Sequence, residues 1–449
     1  MFASFHFPSR FHSGTRWNLK HSALWRDTLK KHLLATTAAI TMVGGAASAQ
    51  DWNVDVGGYF TSHVGFTSVG GTADNVGNYM AGTDFDGLQI IQDAEVAIVP
   101  SVTLDNGMTF GANIQYETAD GSDMDEVYMF ISSDTMGTIE IGNENSAGYK
   151  SMFIVPSVGG LPINTGSVSG FVPFATSGAA AVATGGVPAG ATPAGPAIVN
   201  SFTGAGYSTA TEVAGAYGNN DIARINYFTP SFNGLRVGVS YAPGSGSGSD
   251  GATALVDRGG LTGQVLSDIF DIGITYDQSF GTMDVSLAAR WGTGSWSTAV
   301  KNNTSVGAVR TSDPETWGVG FAVTSGAFSI GAAYSENDNG LPGGLLDEEG
   351  YRIGMTYDLT GPWSVGLEYG YGEGSHGTNL TTGVSNGKDE LEMIKLAASR
   401  DLGPGVNWSV WALQTKVDAA DAATGGLLGG VAGTDVDATT IGTSIALNF

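Results

Sequence analysis

Period two governs this chain from near residue 52 to its last residue. In Phe110 to Glu117, Phe110, Ala112, Ile114 and Tyr116 alternate with Gly111, Asn113, Gln115 and Glu117. Ile272, Ile274 and Tyr276 alternate with Asp271, Gly273 and Thr275. Trp317, Val319, Phe321 and Val323 run up to Ser325-Gly326, and Phe328, Ile330, Ala332 and Tyr334 run away from it. Successive side chains of an extended backbone point to opposite faces, so each run is a strand with one apolar face.

The pattern predicts strands near 52–66, 88–99, 108–117, 125–132, 138–142, 222–229, 235–242, 268–277, 282–291, 316–324, 327–335, 350–358, 363–370, 390–400, 406–414 and 437–449, about sixteen in all and an even number. Short turns such as Asp105-Asn106-Gly107, Thr360-Gly361-Pro362 and Gly403-Pro404-Gly405 alternate with long Gly/Ser/Asn/Asp-rich loops. That is hairpin chemistry. A soluble sandwich or propeller buries the apolar faces of such strands, whereas an outer-membrane barrel turns them to lipid and keeps the polar parity inside.

Aromatic placement decides between the two. Tyr351 and Tyr357 bracket one strand, Trp363 and Tyr369 the next, and Tyr227, Tyr241, Tyr276, Trp291, Trp317, Tyr334 and Trp408 also sit near strand ends on the apolar parity. Aromatics at both ends of lipid-facing strands form interfacial girdles. The expected fold is all-β, a 16-stranded antiparallel transmembrane β-barrel.

Both ends of the chain fit this fold. Residues 1–49 are basic and end in a short apolar run before Ala47-Ser48-Ala49, which reads as a secretory signal cleaved ahead of Gln50; residues 50–449 would then form the barrel domain. At the other end, Ile441, Ile445, Leu447 and Phe449 share one parity. This last strand should pair with the first, removing the open edges that lipid does not tolerate.

The formal charge of −25 becomes roughly −30 without the leader. So acidic a chain lacks the clustered Lys and Arg that phosphate binding requires, which excludes nucleic acid as a partner. There is no cysteine, so neither a disulfide nor a thiolate zinc site supports the fold.

Asn226-Tyr227-Phe228-Thr229-Pro230-Ser231-Phe232-Asn233-Gly234-Leu235-Arg236-Val237-Gly238-Val239-Ser240-Tyr241 resembles the strand-turn-strand signature of Gram-negative general porins, closest to the alphaproteobacterial type. Val56-Gly57-Gly58-Tyr59-Phe60 and the terminal Phe449 fit as well. The resemblance implies a homotrimer of barrels in outer-membrane lipid and lipopolysaccharide. Each barrel would hold a water-filled pore for ions and small hydrophilic solutes, narrowed by a long third loop folded inward. Phe449 would serve recognition by the outer-membrane assembly machinery. No cofactor is expected, with a bound divalent cation such as calcium left open.

The constriction loop falls at 143–221, between the fifth and sixth strands. Its charged residues are Glu144, Lys150, Glu212 and Asp221; 177–201 is of low complexity and reads either as part of the pore or as a surface insertion, while Tyr149, Phe153, Phe171, Phe174 and Tyr207 look able to pack inside. On the inward parity the early strands offer Asp55, His63, Asp93, Glu95 and Glu117, and later strands offer Arg224, Arg236, Arg290 and Arg352. This departs from the best-known general porins, which place basic side chains on the early strands opposite an acidic loop. The summed potential predicts weak cation selectivity. The short second loop, 118–124, argues against latching between subunits by that loop, though not against trimerisation itself.

Rival readings are a substrate-specific channel, a barrel hydrolase and an adhesin. Hydrolysis by a serine needs a positioned histidine. Past the leader only His63 and His376 remain, on the first strand and in a Gly-rich loop, so no catalytic residue is assigned.

Overall fold

The computed structural model describes residues 51–71, 86–118, 124–151, 155–163, 165–171, 219, 221–245, 266–297, 312–338, 340, 345–376, 387–418 and 435–449. The expected leader, Glu212 and the low-complexity stretch 177–201 lie outside these residues, as do Phe153, Phe174 and Tyr207.

Each predicted strand is present. They are β1 (Asn53–Gly71), β2 (Gly87–Thr103), β3 (Thr109–Glu117), β4 (Met124–Ser133), β5 (Gly137–Glu144), β6 (Ile222–Phe228), β7 (Leu235–Gly244) and β8 (Leu266–Phe280). There follow β9 (Met283–Trp296), β10 (Glu315–Ser325), β11 (Phe328–Asp338), β12 (Leu345–Asp358), β13 (Trp363–His376), β14 (Lys388–Gly403), β15 (Val406–Asp418) and β16 (Asp435–Asn448). Every strand pairs with its neighbours in the chain, and β1 pairs antiparallel with β16, so the sheet closes and leaves no edge.

The distribution of side chains is the reverse of a soluble protein's. Phe60, Phe66, Leu88, Ile90, Ile141, Ile225, Val319, Phe321, Ile353, Leu396, Ile441 and Ile445 are exposed on the outer wall. Thr61, Thr67, Gln115, Asn226, Ser240, Thr356 and Thr440, on the opposite parity, are buried inside. Such a surface is stable where the solvent is hydrocarbon.

The outer wall also carries the expected aromatic belts. Near the long-loop end Phe270 and Trp291 lie 6.3 Å apart between ring centres, Trp317 and Tyr334 5.3 Å, and Tyr351 and Tyr369 5.9 Å. At the short-turn end Trp363 and Trp408 meet edge-on at 5.7 Å. Amphipathic rings at both ends of the apolar band match the two membrane interfaces.

Tight turns join the strands at the end where the belts are closest to the chain reversals. Gly107 has φ 81° in the turn where Leu104 and Met108 bond, and Gly405 has φ 71°; both conformations favour glycine.

Candidate pore constriction

The described residues that follow β5, as far as Phe171, lie inside the barrel and follow its wall. Ser146 caps a single helical turn, α1 (Ala147–Lys150), by accepting from the Tyr149 amide at 3.1 Å. The turn lies against β6 to β9, and Ala147 N donates to Ser240 Oγ at 3.3 Å. Further on, Pro156 lies against Gly331 and Gly354 on β11 and β12, and Val158 against Gly366 on β13. Gly159 then reaches Ala397 and Ser409 on β14 and β15, and Gly160 reaches Thr61 on β1 and Ser444 on β16. A 3-10 turn, Gly166–Phe171, ends the lap, with Gly170 against Ile91 on β2.

The wall is cut to receive this segment. Side chains at Gly273, Gly331, Gly354 or Gly366 would collide with residues 151–158. Gly65 and Gly442 face each other in register across β1 and β16 and open a hollow, which Trp411 and Phe171 fill edge-to-face at 5.1 Å. Around them Val158, Leu161, Ile163, Val168 and Phe171 of the loop pack on Leu391, Met393, Ala397 and Leu413 of the wall. The inner parity of β14 and β15 is therefore apolar where the loop covers it, a local reversal of the polar-inside rule. Burying this much apolar surface holds the loop to the wall, at roughly 25 cal/mol per Å² removed from water.

Two sealed charge clusters lie beneath the same cover. Arg290 pairs with Asp271 at 2.6 Å under Gly148. Glu368 sits between Arg352 and Lys395, each at 2.5 Å, with all three side chains 0–1% exposed. The loop supplies the remaining partners: Ser157 Oγ donates to Glu368, Ile163 N donates to it at 3.4 Å, Arg352 donates to Val155 O at 3.1 Å, and Lys395 to Leu161 O at 2.5 Å.

A third cluster stands at the root of the loop. Lys150 Nζ lies 2.8 Å from Glu140 and 3.1 Å from Glu144, and 4.9 Å from the centre of the Tyr128 ring. Burial disfavours the ammonium, but Glu144, Tyr128, Glu140 and Glu126 outweigh that and hold its pKa well above the ordinary lysine value, so Lys150 stays charged. Asn145 and Asn226 donate to Glu126 and Glu140 and tie β4, β5 and β6 to the same point.

The remaining inward charges fall into two groups. Asp93, Glu95 and Glu117 are half-buried on neighbouring strands, with Glu95 opposite Glu117 in register; Tyr59 donates to Asp93 at 2.9 Å and Ser167 approaches it at 3.4 Å. Asp55 is exposed at the short-turn end, bonded by Asn53. Arg236 is half-buried and stacked over Phe228 at 4.6 Å from the ring centre. Arg224 is buried and donates to the Asn219 carbonyl at 2.7 Å. Asp221 precedes β6 with φ 46°.

All four arginines thus point inward, as their parity predicts. Arg290 and Arg352 do not face an aqueous lumen in opposition to the acids; the loop covers them and neighbouring carboxylates neutralise them. Sequence reasoning missed Asp271, Glu368, Lys395 and Trp411. Leu391 and Met393 on an inward parity were the available sign that something covers this part of the wall. Of the aromatic flanks expected to pack inside, Tyr149 and Phe171 are buried there. Among the described residues, no three His, Asp or Glu side chains are grouped to hold a metal ion.

A closed sixteen-stranded barrel, apolar outside and lined within by a folded loop, is the architecture of an outer-membrane channel. The family model for Gram-negative porins matches residues 35–420. The chain belongs to the Gram-negative porin family. It is a multi-pass outer-membrane protein, with the short turns on the periplasmic side as in other barrels.

Solved porin-like barrels share its fold. The outer-membrane channel DcaP of Acinetobacter baumannii is similar with a TM-score of 0.52 at 13% identity, over 91% of this chain and 100% of that one. The outer-membrane protein OmpT of Vibrio cholerae gives 0.50 at 10% identity, over 90% and 100%. An uncharacterized protein of Rickettsia prowazekii is 25% identical over 226 residues, 41% of this chain, and the match spans about half, 48%, of that relative.

Proposed function

We propose that this porin is a non-enzymatic, water-filled channel for passive diffusion of ions and small hydrophilic solutes, weakly selective for cations, and that it works as a homotrimer. The observation that supports the selectivity is the unequal exposure of its inward charges. Asp93, Glu95 and Glu117 keep partial exposure inside the barrel, whereas Arg290, Arg352 and Lys395 are sealed with Asp271 and Glu368 beneath the loop. A permeating ion feels charges within a Debye length of roughly 8–10 Å, and the half-buried acids dominate that field. The trimer rests on family membership.

Planar-bilayer recording tests the channel reading. Stepwise, ohmic currents proportional to salt concentration are expected. Currents that saturate with one solute and not others would replace the general channel by a substrate-specific one.

A further inference from the structure

We propose that Glu368 is the positioning residue that sets the aperture of the channel, by holding residues 155–163 flat against the barrel wall. This rests on the channel reading above. Among the described residues, polar contacts hold the loop to the wall at its root, over 155–163, and at Ser167 and Phe171, which bond Asp93 and Thr440. At its root, α1 is seated by Ser240 and the Lys150 cluster, close in sequence to β5. Over residues 155–163, across the barrel, the charged attachment is the Glu368 cluster.

Glu368 has the geometry of a hub. It is the carboxylate that bridges Arg352 and Lys395, and it receives Ser157 Oγ and the Ile163 amide from the loop. Its two cations in turn donate to Val155 O and Leu161 O. The loop residues 155, 157, 161 and 163 are thereby fixed through one wall carboxylate and the two cations it holds. The pleat of the wall cooperates, because Gly354 and Gly366 on either side of this hub have no side chain to lift Pro156 and Val158 into the lumen.

Loss of the carboxylate removes the acceptor for Ser157 and Ile163 and leaves Arg352 and Lys395 without the charge that lies between them. Their repulsion and need for water push residues 155–163 off the wall, and the only direction available is into the pore. The aperture then narrows and fluctuates. The barrel itself, closed by backbone hydrogen bonds, does not open.

The absence of cysteine permits a decisive test. A Cβ on Gly160 would lie 3.7 Å from Ser444 Cβ, within the range for a disulfide, so Gly160→Cys with Ser444→Cys tethers the loop to β16. Single-channel conductance is recorded for the wild type, for Glu368→Gln, and for Glu368→Gln carrying the tether, oxidised and reduced. The expected result is at least a twofold fall in mean conductance with flicker between sublevels in Glu368→Gln, recovery of steady, near wild-type steps when the tether is oxidised, and loss of that recovery on reduction. Ser157→Ala keeps all three charges and removes only the hydroxyl that bridges Glu368 and Lys395; it should show the same flicker at smaller size, and it serves if Glu368→Gln does not insert. Wild-type conductance in both variants, or a defect that the oxidised tether leaves unchanged, overturns the proposal while leaving the channel reading intact. A wild type without ohmic steps overturns the channel reading itself.

Discussion

The main chain of Phe449 exchanges two hydrogen bonds with Gly58, its amide donating at 3.1 Å and its carbonyl accepting at 3.0 Å. These bonds complete the seam between β16 and β1. Gly58 is required for the approach, because a Cβ there would overlap the Glu95 carbonyl and crowd the Phe449 ring at 3.1 Å. Deleting Phe449 removes both bonds, a loss of about 2 kcal/mol at the seam. The expected outcome is a lower outer-membrane level of the protein, with unchanged conductance in molecules that do insert. Quantifying membrane-fraction protein beside single-channel steps checks both halves of the prediction.

Arg290 and Asp271 should behave as a structural pair. Arg290→Met alone leaves a buried carboxylate without its counter-charge and should cost about 3–5 kcal/mol, whereas Asp271→Asn with Arg290→Met should recover much of that. Guanidinium midpoints in detergent give the cycle. Ion selectivity should be the same in the double variant and the wild type, because the pair contributes no net charge to the lumen.

Phe171 should hold the last part of the loop to the wall. Phe171→Ala leaves a cavity beside Gly65 and Trp411 and should weaken docking of the loop's far stretch by about 3–5 kcal/mol. Hydrogen exchange reads this directly: amides of 158–171 should exchange much faster in the variant, and those of β14 to β16 should not.

The half-buried charges should set selectivity one by one. Asp93→Asn with Glu95→Gln should reduce the preference for cations. Arg236→Gln should increase it slightly, since Arg236 is half-buried over Phe228, whereas Arg352 is sealed beneath the loop. Reversal potentials of the purified variants measure both shifts.

Strand positions were readable because lipid on one side and polar interior on the other impose strict alternation over each span. Their extents were not. β1 continues to Gly71, β9 to Trp296 and β15 to Asp418, each several residues past the apolar alternation, because pairing persists where both faces are polar. The inward parity of Arg352 and Arg290 was equally plain, yet their partners were hidden. Glu368 lies directly opposite Lys395 across β13 and β14, but those strands are joined by a long loop, so no turn type fixes their register in the sequence. Nor could the period reveal that residues 155–171 turn a stretch of polar-side wall into an apolar core. That depends on a lap around the whole interior, which is long-range packing with no local signature.

The proposed cation selectivity requires that the acids inside this barrel outweigh its arginines, two of which, Arg290 and Arg352, the loop seals into ion pairs. Zero-current potential across a KCl gradient tests it most directly. The wild-type porin should favour K⁺ modestly, and the preference should shrink as total salt rises and the Debye length falls. An anion-selective wild type, or a preference that does not respond to salt, would contradict the account.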